Sequence, residues 1–127
     1  MGTKILDDIA IQRLAERVET AQRYAVPIHK LTEDYPDLTI PDAYRVQTAL
    51  RRSLEAKGQR VTGWKAGLTS KPKMAQMGVT TPGVGFLTDA MERAANTRIS
   101  VSDLIHPRVE AEIAFVTKSE LSGKVTR

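Results

Sequence analysis

The run Val-Glu-Ala-Glu-Ile-Ala-Phe, residues 109–115, restricts the fold more than any other stretch of the chain. Along an extended strand, successive side chains point to opposite faces. Residues 108–116 read this way put Val109, Ala111, Ile113 and Phe115 on one wholly apolar face, which demands a core. Arg108, Glu110, Glu112, Ala114 and Val116 share the other face, polar at its start and apolar at its end. Side chains two apart on a strand begin roughly 6.5–7 Å from each other. Their carboxylates can therefore lean onto one cation. A buried carboxylate without a cation needs a raised pKa or a basic partner. Magnesium binds oxygen ligands at about 2.0–2.1 Å and keeps several waters, so two carboxylates and a third ligand make an ordinary site. The same residues also fit an Arg–Glu–Glu row on a solvated sheet face, with Arg108 as the basic partner.

The first half of the chain reads as helical. Ile11, Leu14, Val18, Ala21 and Ala25 recur at steps of three and four, which predicts one amphipathic helix over residues 5–25, closed by Pro27. Residues 33–39 are a turn-rich connector, and His29 before them reads as a surface residue. A second helix is expected from Pro41, with Val46, Leu50 and Leu54 as its apolar line and Gly58 as its stop.

The pattern changes after Arg60, the one candidate domain boundary, which divides residues 1–60 from residues 61–127. Residues 61–69 alternate as a strand, with Trp64, Ala66 and Leu68 on one face and Gly63, Lys65 and Gly67 on the other. Glycine weakens a strand, so two of them flanking a lysine suggest either space for a ligand or a plain edge strand guarded by its lysine. Ser70 is placed to cap a short helix that ends at Gly78, and residues 80–88 then read as a turn and a short strand. Gly83-Val84-Gly85 lacks the third glycine and the following helix of a dinucleotide fingerprint. Residues 89–107 are compatible with a short helix, a turn and a strand.

Composition narrows the function classes. The 127 residues are 41% hydrophobic and 27% charged, as in ordinary globular proteins, and contain no cysteine, which removes disulfides and thiol chemistry. The net charge of +4 raises the question of nucleic acid, but acids are interleaved among the basic residues and only 5% of residues are aromatic. That pattern suits a solvated surface or an anionic small molecule better than a nucleic acid. No apolar run approaches the roughly 20 residues of a membrane helix. The N-terminal Met-Gly-Thr-Lys-Ile-Leu-Asp-Asp-Ile is too acidic for a signal peptide, so a cytoplasmic location is expected.

Four blocks in order, Gly-Trp-Lys-Ala-Gly-Leu-Thr-Ser, Lys-Met-Ala-Gln-Met-Gly-Val, Pro-Gly-Val-Gly-Phe-Leu and Ile-His-Pro-Arg-Val-Glu-Ala-Glu-Ile-Ala-Phe-Val, together resemble the hydratase/decarboxylase branch of the fumarylacetoacetate hydrolase superfamily. Members act in meta-cleavage degradation of aromatic compounds. The resemblance runs over nearly the whole chain, and the second block looks more like the decarboxylases of 2-oxo-3-hexenedioate than the 2-hydroxypenta-2,4-dienoate hydratases. It implies an α+β chain: a helical segment, then the first part of a mixed, β-rich fumarylacetoacetate-hydrolase-like fold. It implies magnesium or manganese held by Glu110 and Glu112, a catalytic lysine at Lys65, and a small 2-oxo dicarboxylate or dienoate as substrate. Arg108 is the candidate for holding a substrate carboxylate. Self-association, or a complex with a companion hydratase or decarboxylase, is expected. Family members run to about twice this length, a size usual for one β-rich domain. A third acidic ligand would then follow Arg127, and the β-rich fold is expected to be incomplete within residues 61–127, which implies either the N-terminal half of such an enzyme or a non-catalytic fragment or partner subunit of one.

Overall fold

A computed structural model describes residues 5–123; Met1–Lys4, part of the stretch weighed above as a signal peptide, and residues 124–127 lie outside the described residues. Helix α1 spans Asp8–Tyr24, and the Asp7 carboxylate caps it by accepting from the Ala10 amide at 2.7 Å. The helix ends at Ala25, which takes a left-handed conformation with φ 51°. Ala25 is therefore the cap, not the last residue of the apolar stripe. A single turn, α2, covers Leu31–Asp34 and overlaps the expected connector only at Glu33 and Asp34. Helix α3 spans Ile40–Ala56; Thr39 caps it and Pro41 sits in its first turn, where no amide partner is required.

The two long helices bury one apolar cluster. Ile11, Leu14 and Ala15 come from α1, and Val46, Leu50 and Leu54 from α3. Leu6, Val18, Leu31, Tyr35, Leu38 and Ala49 pack around them. Two buried carboxylates stitch the seam. Asp42 accepts from the Thr39 hydroxyl at 2.7 Å and from Arg45 at 2.8 Å. The Arg45 guanidinium also reaches the Leu6 carbonyl and Asp8, each at 2.7 Å, so one side chain ties α3 to the entry of α1. Glu19 is held by Ser53 at 2.6 Å, by Arg23 at 2.6 Å and by Lys57. The hydrogen bond from Lys57, then that from Ser53, hold its carboxyl below the usual range against the opposing effect of burial.

Strand β1 (Val61–Gly67) and strand β2 (Gly83–Thr88) form an antiparallel pair, joined through α4 (Lys71–Met77). Trp64 pairs with Phe86 and Ala66 with Val84 on one face; Lys65 pairs with Gly85 and Gly67 with Gly83 on the other. The expected alternation holds as far as Gly67. Leu68 breaks it with φ 57° and starts the turn. Phe86 packs against the helical cluster, which fixes the face of the sheet that turns inward. At the closed end, Asp89 accepts from the Arg60 amide at 3.0 Å and from its side chain at 3.1 Å. On the outer side of β2, the Val84 amide donates to the Tyr44 hydroxyl at 3.1 Å and Gln47 donates to the Val84 carbonyl at 3.0 Å. In an antiparallel pair alternate residues turn both backbone groups outward, and Val84 is such a residue. Helix α3 thus supplies the partners that a third strand would otherwise provide.

Residues 89–107 contain two short 3-10 turns, Asp89–Met91 and Val101–Asp103, and no strand. The strand expected over residues 108–116 is also absent. That segment has no regular structure, and the face expected to be core is exposed, Ile113 at 84% and Phe115 at 89%. The physical reason is the lack of a partner. A strand needs a neighbour for its amides and carbonyls, and β1–β2 is the only sheet among the described residues.

Leu14 is fully buried in the seam. Leu14→Ala should cost about 2–5 kcal/mol, the usual range for truncating a core leucine. Denaturant unfolding measures this, and a change under about 1 kcal/mol would show that the seam is not the core.

Candidate functional site: a lysine between two carboxylates

Lys65 stands near the middle of β1 on the face turned away from the helices. Its neighbours along the strand are Gly63 and Gly67, and Gly85 lies opposite, so no side chain crowds it within the sheet. The irregular segment brings Glu110 and Glu112 to it. The Lys65 ammonium donates to Glu110 Oε2 and to Glu112 Oε1, each at 2.9 Å. The two carboxylates therefore converge on one positive charge, as the residue spacing suggested, although the segment that carries them is not a strand. They are also not buried: Glu110 is 62% exposed, Glu112 53% and Lys65 45%. The interior placement expected for them is thereby corrected, because solvent, together with Lys65, screens the repulsion between the acids.

The hydrogen bonds to Glu110 and then to Glu112 raise the Lys65 pKa, with desolvation opposing. The hydrogen bond from Lys65, followed by its charge, lowers that of Glu110. Arg108 adds only a small electrostatic lowering at Glu110 and makes no ion pair or hydrogen bond among the described residues. The Arg–Glu–Glu row is thus replaced by a Lys–Glu–Glu cluster. The donor set fits a hard divalent ion. Two carboxylate oxygens already approach one point occupied by a cation, and water can fill remaining positions of such an ion. Among the described residues no group of three or more His, Cys, Asp or Glu side chains is placed to hold a metal. Any third ligand is not among them.

Sequence reasoning singled out Lys65, Glu110 and Glu112 and missed the groups that position them. Gly83 and Gly85 become neighbours of Lys65 only through hairpin register. Pairing the Gly-x-Lys-x-Gly run against the later Gly-x-Gly run gives that register. Tyr44 and Gln47, three residues apart and off the apolar line of α3, carried a weaker signal.

No family model matches the chain. A solved structure of 4-oxalocrotonate decarboxylase from Pseudomonas putida G7, complexed with calcium and acetate, superposes with a TM-score of 0.78 at 44% identity, over 80% of this chain and 39% of that one. A 2-hydroxyhexa-2,4-dienoate hydratase from Comamonas testosteroni is 42% identical over 120 residues, 92% of this chain and 46% of the relative. The chain belongs to the hydratase/decarboxylase branch of the fumarylacetoacetate hydrolase superfamily. Within it, a 4-oxalocrotonate decarboxylase from Pseudomonas putida is 51% identical over 110 residues, covering 87% of this chain and 42% of the relative. The chain spans about two fifths of the length of the curated relatives it matches.

The sign of the pKa shifts gives a test. Glu110, with its folded pKa depressed, contributes above the ordinary carboxylate range, and that contribution fades as pH falls through the lowered value. Lys65, with its pKa raised, contributes below the ordinary lysine range and loses this as pH rises through the raised value. Lys65→Met should therefore move the Glu110 titration upward, toward an ordinary glutamate, in a side-chain carboxyl NMR experiment. An unmoved Glu110 titration would show that the pair is not formed in solution.

Proposed function

We propose that this chain carries part of the active site of a metal-dependent decarboxylase of 2-oxo-3-hexenedioate (4-oxalocrotonate), acting in meta-cleavage degradation of aromatic compounds. Glu110 and Glu112 hold a divalent ion, magnesium or manganese. Lys65 is the catalytic residue, and Arg108 binds a substrate carboxylate. The convergence of both carboxylates on one ammonium at 2.9 Å carries this reading, because side chains arranged to share a single positive charge are arranged to share a doubly charged ion. The likeness to relatives supports it: solved decarboxylases of Pseudomonas putida G7 are complexed with calcium and acetate in one structure and with magnesium and adipate in another.

When bound, the ion supplies Lewis-acid polarisation of a carbonyl or carboxylate oxygen. The rest of the chemistry falls to this chain's side chains. Lys65 stays protonated at neutral pH beside the two acids, so it serves as a donor. It orients the 2-oxo group by hydrogen bonding and can deliver a proton to the carbon chain after carbon dioxide leaves. Arg108 is exposed, two residues from Glu110, and its planar fork matches a carboxylate in two-point contact. The helical segment, residues 1–60, serves as the platform, and residues 61–127 carry the reacting groups. No helix among the described residues is long and apolar enough to cross a membrane. We place the protein in the cytoplasm, as a homo-oligomer or in complex with a companion enzyme of the same branch.

A hydratase is the second reading. It is favoured by the 42% identity with the Comamonas hydratase and by 37% identity with a 2-oxo-hept-4-ene-1,7-dioate hydratase from Escherichia coli. Carbon dioxide release from 4-oxalocrotonate supports the decarboxylase, and water addition to a 2-hydroxydienoate supports the hydratase. In the full chain, Glu110→Gln should weaken magnesium binding in calorimetry by at least the roughly 10- to 100-fold seen for loss of an outer-shell partner. Unaltered magnesium affinity would refute the metal assignment.

A further inference from the structure

Lys65 is ringed by glycine on its own face of the sheet. Gly63 and Gly67 flank it along β1, Gly85 faces it across the pair, and Gly83 faces Gly67. A Cβ built on Gly67, Gly83 or Gly85 would meet nothing within 4 Å, and none of the three has a positive φ. Backbone geometry therefore does not call for glycine at these positions. Strands favour β-branched residues, and glycine there gives up packing and chain entropy. The bareness leaves a shallow cavity of about 440 Å³, bordered by Gly67, Gly83, Gly85 and Leu87, with Lys65, which holds Glu110 and Glu112, at its charged edge. Tyr44 and Gln47 hold Val84, between the two glycines of β2, from the far side. The floor is thus fixed to α3 and does not move with the exposed segment.

We propose that Gly67, Gly83 and Gly85 form the substrate floor of this site: they let the flat carbon chain of a 2-oxo dicarboxylate lie directly against bare sheet backbone. This rests on the function proposed above and adds the residues that carry the carbon skeleton. The carboxylate end is read by the charged cluster, and the length between the ends lies over the glycines. A methyl or isopropyl group at Gly85 fills the same space as the substrate chain without touching the protein.

The test compares wild type, Gly85→Ala and Gly85→Val in the full chain, by calorimetric titration with adipate and separately with acetate, both with magnesium present. Adipate affinity should fall at least tenfold in Gly85→Val and less in Gly85→Ala, while acetate affinity and the thermal midpoint hold. Equal adipate affinity in wild type and Gly85→Val would overturn the floor and leave the function standing. Parallel loss of adipate and acetate would also overturn it, since the damage would then lie at the charged end. Failure of the wild type to bind adipate with magnesium would overturn both the function and the floor. Should Gly85→Val not fold, Gly85→Ala and Gly67→Ala each add a single methyl to open space and decide the same comparison.

Discussion

Two seventeen-residue helices pack through Ile11, Leu14 and Ala15 on one and Val46, Leu50 and Leu54 on the other, and the Lys65 hairpin takes its place from that seam. An isolated two-stranded hairpin is marginal in water. This one is seated by Phe86 against the helical cluster and gripped at Val84 by Tyr44 and Gln47. The α3 helix thus does two jobs with different faces: its apolar line closes the core, and its polar flank replaces a missing strand. The position of Lys65 is consequently inherited from helix packing, even though the residue lies on a sheet.

Charge pairing follows one rule through the described part of the chain. Asp42 has Arg45, Glu19 has Lys57 and Arg23, Asp89 has Arg60, and Glu110 has Lys65. Each of these four acids is shifted below its ordinary range, first by Thr39 at Asp42, by Lys57 at Glu19, by the Arg60 amide at Asp89 and by Lys65 at Glu110. The sites differ in burial. Asp42 and Glu19 are enclosed, while the cations that pair with them remain a third to a half exposed. The Lys65 cluster lies in solvent, where ion pairs contribute little to stability. Its arrangement therefore contributes little as a brace.

The helices were legible because their cause is local. A 3.6-residue apolar period, Ser70 as a cap, and Pro41 and Gly78 at the ends all act within a few residues, and the ends of α3 and α4 fall beside such signals, whereas the start of α1 at Asp8 and the turn α2 did not follow from them. The alternation in β1 was legible for the same reason, up to Leu68, whose positive φ nothing in the sequence announces. Residues 108–116 show the limit. Their period-two pattern states a preference for a strand, but a strand also needs a partner, and none of the described residues supplies one. The three charged groups of the site were found as odd residues in otherwise apolar or glycine-rich runs. Their meeting point was not readable, because Glu110 and Glu112 lie 45 and 47 residues from Lys65 and reach it through an irregular segment.

Asp89 closes the hairpin onto Arg60 with hydrogen bonds in both directions, its carboxylate accepting from Arg60 and its amide donating to the Arg60 carbonyl at 3.0 Å. Register is thus locked at the end far from α4, and everything between Leu68 and Pro82 hangs from the opposite end as an excursion. Such an excursion is free to lengthen, shorten or exchange its helix without sliding one strand past the other. Residues 68–82 can therefore be rewritten while the lysine and its facing glycine keep their alignment.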